Sequence, residues 1–161
     1  ILESLTLTAN GTKSGKLSIG SGNAVPNWAD LSGNPSVAYG TDSFSATSTV
    51  NDKTGFNVTE TATDLNSTKS PMIIPATLAA NNFVITANYW VITEDPALNG
   101  GFSTIQNNIT KTSTDPITFE AGKKYNIVVN LGINSVDFAV TEVTDWDSQT
   151  AADYHLPQNA S

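Results

Sequence analysis

The chain contains no cysteine and no arginine, only one histidine and one methionine, and charged residues make up just 14% of it. Without cysteine there is neither a disulfide nor a thiolate metal site, so the core must come from apolar burial alone. A chain of 161 residues has the size of one domain and buries roughly 70% of its unfolded surface on folding, enough for a core without cross-links. Seven lysines against fifteen acidic residues leave a formal charge of -8 and a pI near 4.3. That balance repels a nucleic-acid backbone and an anionic membrane surface and favours solubility. No apolar run approaches the ~20 residues that span a bilayer as a helix. The chain begins at Ile1 without methionine or a signal segment, as a processed or trimmed product would.

What is abundant is threonine, serine and asparagine. Threonine is β-branched and suits half-exposed strand positions, whereas asparagine and serine suit turns. Several segments alternate with period two. Leu5, Leu7 and Ala9 share a face, and Leu17 and Ile19 mark a short strand. Gly20 to Pro35, dense in Gly, Asn and Pro, predicts a long loop carrying Trp28. "SVAY", "SFSATSTV", "GFNVTETA" and the proline-fenced "PMIIP" (Pro71 to Pro75) read as strands. "NFVITANYWVI" (Asn82 to Ile92) is apolar on both faces, as a central strand is, and "STIQNNITKT" reads as a weak polar one. Tyr125, Ile127, Val129 and Leu131 share one face, and after a turn Val136, Phe138, Val140 and Trp146 share another. Val143 falls out of phase, which predicts a bulge near Thr141-Glu142. Short strands, frequent turn signals and no amphipathic helix predict an all-β antiparallel sandwich of about seven or more strands. We expect the sandwich over residues 1–147 and a polar tail over 148–161.

Candidate chemistry falls away on inspection. Gly122-Lys123-Lys124 lacks the upstream Gly and following Ser or Thr of a phosphate loop, and Gly11 to Lys16 is too short between its glycines. Both read as turns with Gly at positive φ. His155, the single histidine, lies in the tail, where a buried carboxylate partner is seldom found. Asp145, Asp147 and Asp153 lack the Gly and Glu that an EF-hand loop requires after them. Trp28 either stacks on a sugar or a partner or anchors its own loop, and Trp90 and Trp146 belong to packing. No catalytic set, cofactor site or metal site emerges, which points to binding or assembly and not to an enzyme.

The stretch from Phe119 to Asp147 resembles the C-terminal signature of the fimbrillin family, the type V pilins of gut and oral anaerobic bacteria. An aromatic and a Gly-Lys turn lead to Tyr and an alternating strand, and a second strand ends in Val-x-x-Trp. Here these are Phe119, Gly122, Lys123, Tyr125, Val143 and Trp146. Met72 to Pro75 leading to Phe83 through Ile92 resembles the family's middle region. The resemblance implies a Greek-key, transthyretin-like sandwich and a secreted fimbrial subunit of the cell surface, exported as a lipoprotein to the outer membrane. Its partners would be other fimbrial subunits, joined when one subunit's extended strand fills a groove in the next. The chain has room for only one of the two domains usual in such pilins. It would then be the C-terminal domain of a longer pilin or a reduced relative, in a stalk, tip or anchor role. The tail is a donor-strand candidate, with Ala152, Tyr154 and Leu156 facing inward, and a disordered terminus is the alternative. A rival expectation is a carbohydrate-binding module or glycan-binding adhesin that uses Trp28.

Overall fold

The computed structural model describes residues 1–11, 14–18, 27–65 and 72–143. Its strands are β1 (Leu2–Ala9), β2 (Ser14–Ser18), β3 (Asn27–Ser32), β4 (Ser36–Gly40), β5 (Ser48–Val50) and β6 (Lys53–Gly55). They continue with β7 (Ala76–Leu78), β8 (Phe83–Glu94), β9 (Phe102–Thr112), β10 (Ile117–Phe119), β11 (Lys124–Leu131) and β12 (Val136–Val143). A short 3-10 turn occupies Thr41–Ser43. Every pairing among the described residues is antiparallel, and the protein is an all-β sandwich. A four-stranded sheet in the order β4-β1-β8-β9 forms one layer, and the hairpin β11-β12 with the pair β7-β10 covers it.

Period-two alternation builds the core. Phe83, Ile85, Ala87 and Tyr89 of β8 point inward with 4%, 0%, 0% and 3% of their surface exposed. They meet Leu5, Leu7 and Ala9 of β1 and Val37 and Tyr39 of β4. Burying one such large apolar side chain stabilises the fold by about 2 kcal/mol. From the other layer, Phe119 and Phe138 pack on Phe83 with ring centroids 6.0 and 5.6 Å away. The register of β1 shifts between Leu2 and Ser4, and this change of phase lets Leu2 and Leu5 both face inward. β8 runs unbroken between β1 and β9, the central strand that its apolar faces predict.

Two polar ties hold the layers in register. The Tyr89 hydroxyl reaches the carbonyl oxygens of Gly132 and Ser135, at 2.9 and 3.1 Å, in the turn between β11 and β12. The Asn107 amide donates to the Ile133 carbonyl at 2.8 Å in the same turn.

Several expectations need correction. The stretch predicted as a loop contains β3, which pairs with β2 and places Leu17 opposite Trp28. Turn-forming residues hid this strand, because its ladder comes from a partner and not from its own propensity. "SFSATSTV" is a strand only over Ser48–Val50, and of "GFNVTETA" only Gly55 belongs to a strand, as the last residue of β6, apart from a bridge at Phe56. Residues 72–74 of "PMIIP" form no strand, and β7 begins only after Pro75. The pairing of β11 with β12 is continuous from Lys124↔Val143 to Leu131↔Val136, so no bulge exists at Thr141-Glu142. The strand keeps its phase by putting Glu142, and not an apolar residue, opposite Tyr125 at the end of the core. Gly15 lies within β2 and not in a turn. "STIQNNITKT" is a strand as expected, within the 11-residue β9. Ile19, Pro71, His155, Trp146, Ala152, Tyr154, Leu156 and the aspartates Asp145, Asp147 and Asp153 lie outside the described residues.

Candidate functional site: a groove along an unpaired strand edge

The two layers do not match. β12 packs over the inner face of β9, where Lys111 Nζ is 3.5 Å from Asp137 Oδ1, and β11 pairs with β12 on one side. No strand pairs with the other side of β11 among the described residues. The Gly132 N–H donates to the Ser135 carbonyl at 2.8 Å, which makes those residues a hydrogen-bonded pair closing the hairpin. Because hydrogen-bonded and non-bonded pairs alternate along an antiparallel ladder, Asn126, Val128 and Asn130 turn their backbone groups to β12. Tyr125, Ile127, Val129 and Leu131 turn theirs to the open side. Those same four residues point their side chains into the sandwich, and all are only half-buried.

Beside this open edge lies a groove of about 280 Å³. Ile127, Val129 and Leu131 form one wall, Leu2 and Leu5 the floor, and Phe56, Val58 and Leu65 the far wall. Leu2 and Phe56 exchange backbone hydrogen bonds of 2.8 and 2.9 Å, which fixes the far wall to β1. Gly55 permits that approach, since a Cβ there would fall 2.2 Å from the Leu2 carbonyl oxygen. The wall then continues as residues 57–65 without strand structure. Thr59 and Thr63 hydroxyls both donate to the Thr61 carbonyl, and Ser45 N–H donates to Leu65 O. Among the described residues the far wall forms no ladder with β11.

The residues Phe119, Gly122, Lys123, Tyr125 and Val143 converge on the start of β11. Phe119, 5% exposed, meets Tyr125 edge-on at 5.0 Å, and the Tyr125 hydroxyl accepts the Glu120 N–H at 2.8 Å. Gly122 has φ +70, the left-handed conformation a turn requires and glycine adopts freely. Lys123 binds the Glu142 carboxylate, and that hydrogen bond holds its ammonium above the usual lysine value. Val143 ends β12 opposite Lys124. This end of the hairpin is therefore pinned by a turn, an aromatic contact and an ion pair. In the structure Ala121-Gly122 is a turn, and Lys124 already begins β11.

Trp28 lies elsewhere. β2 and β3 continue the β1-β4 ribbon as an arm, joined through Ala9 N–H to Pro35 O and Gly11 N–H to Gly33 O bonds. On this arm Trp28 is 39% exposed, opposite Leu17 at 46%. Lys16 and Asp30 pair at 2.9 Å beside them. Trp90 is on the outer face of β8, with the Lys53 ammonium 4.3 Å from its ring centroid. Neither tryptophan lines the groove.

Among the described residues no group of three or more His, Asp or Glu side chains could hold a metal ion. No helix among them is long and apolar enough to cross a membrane. Sequence reasoning missed Leu2, Phe56, Val58 and Leu65 as groove residues. The Phe56-Val58 alternation marks an apolar face, but nothing local says that it looks across at β11. No family model matches the chain, and neither a curated protein nor a solved structure matches it.

Proposed function

We propose that the protein is a structural or adhesive subunit of a bacterial cell-surface fimbria, joined to its neighbours by strand addition into the groove beside β11. One observation carries this reading. The outward backbone groups of Ile127, Val129 and Leu131 border a trough floored by Leu2 and Leu5, with Phe56, Val58 and Leu65 among the threonines and Asp64 on its far side. An extended segment laid there would complete the ladder and fill the trough with alternate side chains. The resemblance of Phe119 to Asp147 to fimbrillins supports the extracellular, surface-assembled setting and a lipoprotein precursor. The partners are then other fimbrial subunits, and the donor is the tail of a neighbouring copy, with Ala152, Tyr154 and Leu156 facing in.

The test uses a synthetic peptide covering residues 148–161 and the chain truncated before residue 148. The peptide should raise the melting temperature of the truncated chain and should fail to do so in Val129→Arg, which fills the trough with a charge. At a hundred times its Kd such a ligand contributes about 2.7 kcal/mol. Assembly of the longer protein that persists after removal of 148–161 would reject the tail as donor.

A second reading rests on Trp28, whose exposed ring beside Leu17 on the arm offers a surface on which a sugar could stack. Glycan-array binding that disappears in Trp28→Ala supports an adhesin or carbohydrate-binding module, and binding that survives rejects this version.

A further inference from the structure

The far edge of the four-stranded sheet carries a separate interaction surface. β9 is an 11-residue edge strand, whereas β4 at the opposite edge has five residues and follows Pro35. Edges are ordinarily protected by brevity, proline, bulges or charge. β9 has no proline, pairs with β8 without a register shift, and carries one charge, Lys111, which faces Asp137.

Among the described residues, hydrogen bonds at both ends of β8 show which groups of β9 have no partner. Trp90 N–H donates to Ile1 O at 2.7 Å, so the backbone of Trp90 faces β1. Its neighbours Tyr89 and Val91 face β9, opposite Asn107 and Ile105. At the other end Ser113 N–H donates to Phe83 O at 2.9 Å, in the same phase. Odd-numbered residues of β9 therefore bond to β8. Phe102, Thr104, Gln106, Asn108, Thr110 and Thr112 point their N–H and C=O groups away from the sheet.

The sequence of this edge is nearly symmetric about Asn107. Stepping outward in both directions gives Gln106 and Asn108, then Ile105 and Ile109, then Thr104 and Thr110. We infer that β9 is a self-pairing edge, along which two copies of the chain join antiparallel about a twofold axis at Asn107 to make one continuous sheet. In that register the even-numbered residues meet one another as hydrogen-bonded pairs, Gln106 with the partner copy's Asn108 and Thr104 with its Thr110. The exposed groups are thus in the phase the pairing needs. Ile105, 51% exposed, lies against Ile109 of the second copy on the inner face. The hydroxyl pair Thr86-Thr110, 2.9 Å apart, gains Thr104 of the second copy as the next rung. Lys111 falls opposite Ser103, so the single charge of each strand avoids its own image. A closed twofold contact of this kind is self-complementary and limits itself to a dimer.

Sedimentation equilibrium of the full chain should show a concentration-dependent dimer. Asn108→Pro removes an outward donor without touching the β8 ladder and should lower the association constant about tenfold or more. Cross-linking tests the register independently of that variant's folding, and the absence of native cysteine makes it clean. Asn107→Cys should form a disulfide-linked dimer under mild oxidation, because a non-hydrogen-bonded pair on the axis places its Cα atoms about 4.5 Å apart. Ile105→Cys alone should not, whereas the double variant Ile105→Cys/Ile109→Cys should. A chain that stays monomeric at every concentration overturns the inference. So does a dimer indifferent to Asn108→Pro, or equal cross-linking of Asn107→Cys and Ile105→Cys.

Discussion

β8 and β11 carry the same kind of sequence, with large apolar residues on every second position facing the interior. In β8 the row is Phe83, Ile85, Ala87 and Tyr89, and none is more than 4% exposed. In β11 the row is Tyr125, Ile127, Val129 and Leu131, and all four are half-buried. The difference lies in the neighbours. β8 is paired on both sides, by β1 and β9, while among the described residues β11 is paired by β12 alone. A strand without a second neighbour leaves one flank of its side-chain row uncovered, and its outward N–H and C=O groups unpaired. Identical patterning can therefore make a core in one place and a receptive groove in another.

Truncation of each row should separate the two most strongly. Ile85→Ala opens a cavity in a fully enclosed site and should cost about 3–4 kcal/mol in urea denaturation. Ile127→Ala, at the groove, should cost about 1–2 kcal/mol, since water already reaches part of its side chain. Equal losses would mean that the groove is closed in solution. A bound donor peptide should raise the cost of Ile127→Ala toward that of Ile85→Ala, which turns the comparison into a readout of strand addition.

A smaller effect is expected from the tie between the rows. Tyr89→Phe leaves the Gly132 and Ser135 carbonyls without their hydroxyl partner and should cost about 1–2 kcal/mol. Burial also pushes the Tyr89 and Tyr39 phenols above their ordinary value of 10.0. The unfolded chain then loses these protons first as pH rises, so stability is complete below pH about 10 and declines above it. Tyr89→Phe should flatten part of that decline, as thermal melts between pH 8 and about 11 would show. The smallest change belongs to Lys123→Ala. Its partner Glu142 raises the lysine pKa, but the pair lies in solvent and should respond weakly, and only at low salt. A large loss there would show that the start of β11 depends on the ion pair more than on the Phe119-Tyr125 contact.

The legibility of these features follows their locality. The apolar residues on both faces of Asn82 to Ile92 identified the central strand, because that pattern shows directly in successive residues. Gly122 was legible as a turn, since no local rule made Gly-Lys-Lys a phosphate site. β3 was not legible, because Asn27 to Ser32 has turn-forming composition and becomes a strand only by pairing with Ser14 to Ser18. "PMIIP" misled in the opposite direction, apolar enough for a strand but given no ladder at residues 72–74. The bulge expected from Val143 failed because Glu142 takes the phase position opposite Tyr125 and turns to Lys123. The groove escaped for a further reason. Its walls come from Leu2, Phe56 and Ile127, which meet only after the chain has folded.

By itself, the sequence determined the all-β class, the apolar rows and the glycine turns, since each depends on residues within a few positions of one another. Only the tertiary structure decided that the row on β8 would be sealed, that the row on β11 would lie beside a trough, and that no strand among the described residues pairs with the outer edge of β9. A period-two pattern states which face of a strand is apolar. Whether a neighbour covers that face or completes that ladder depends on segments far away along the chain.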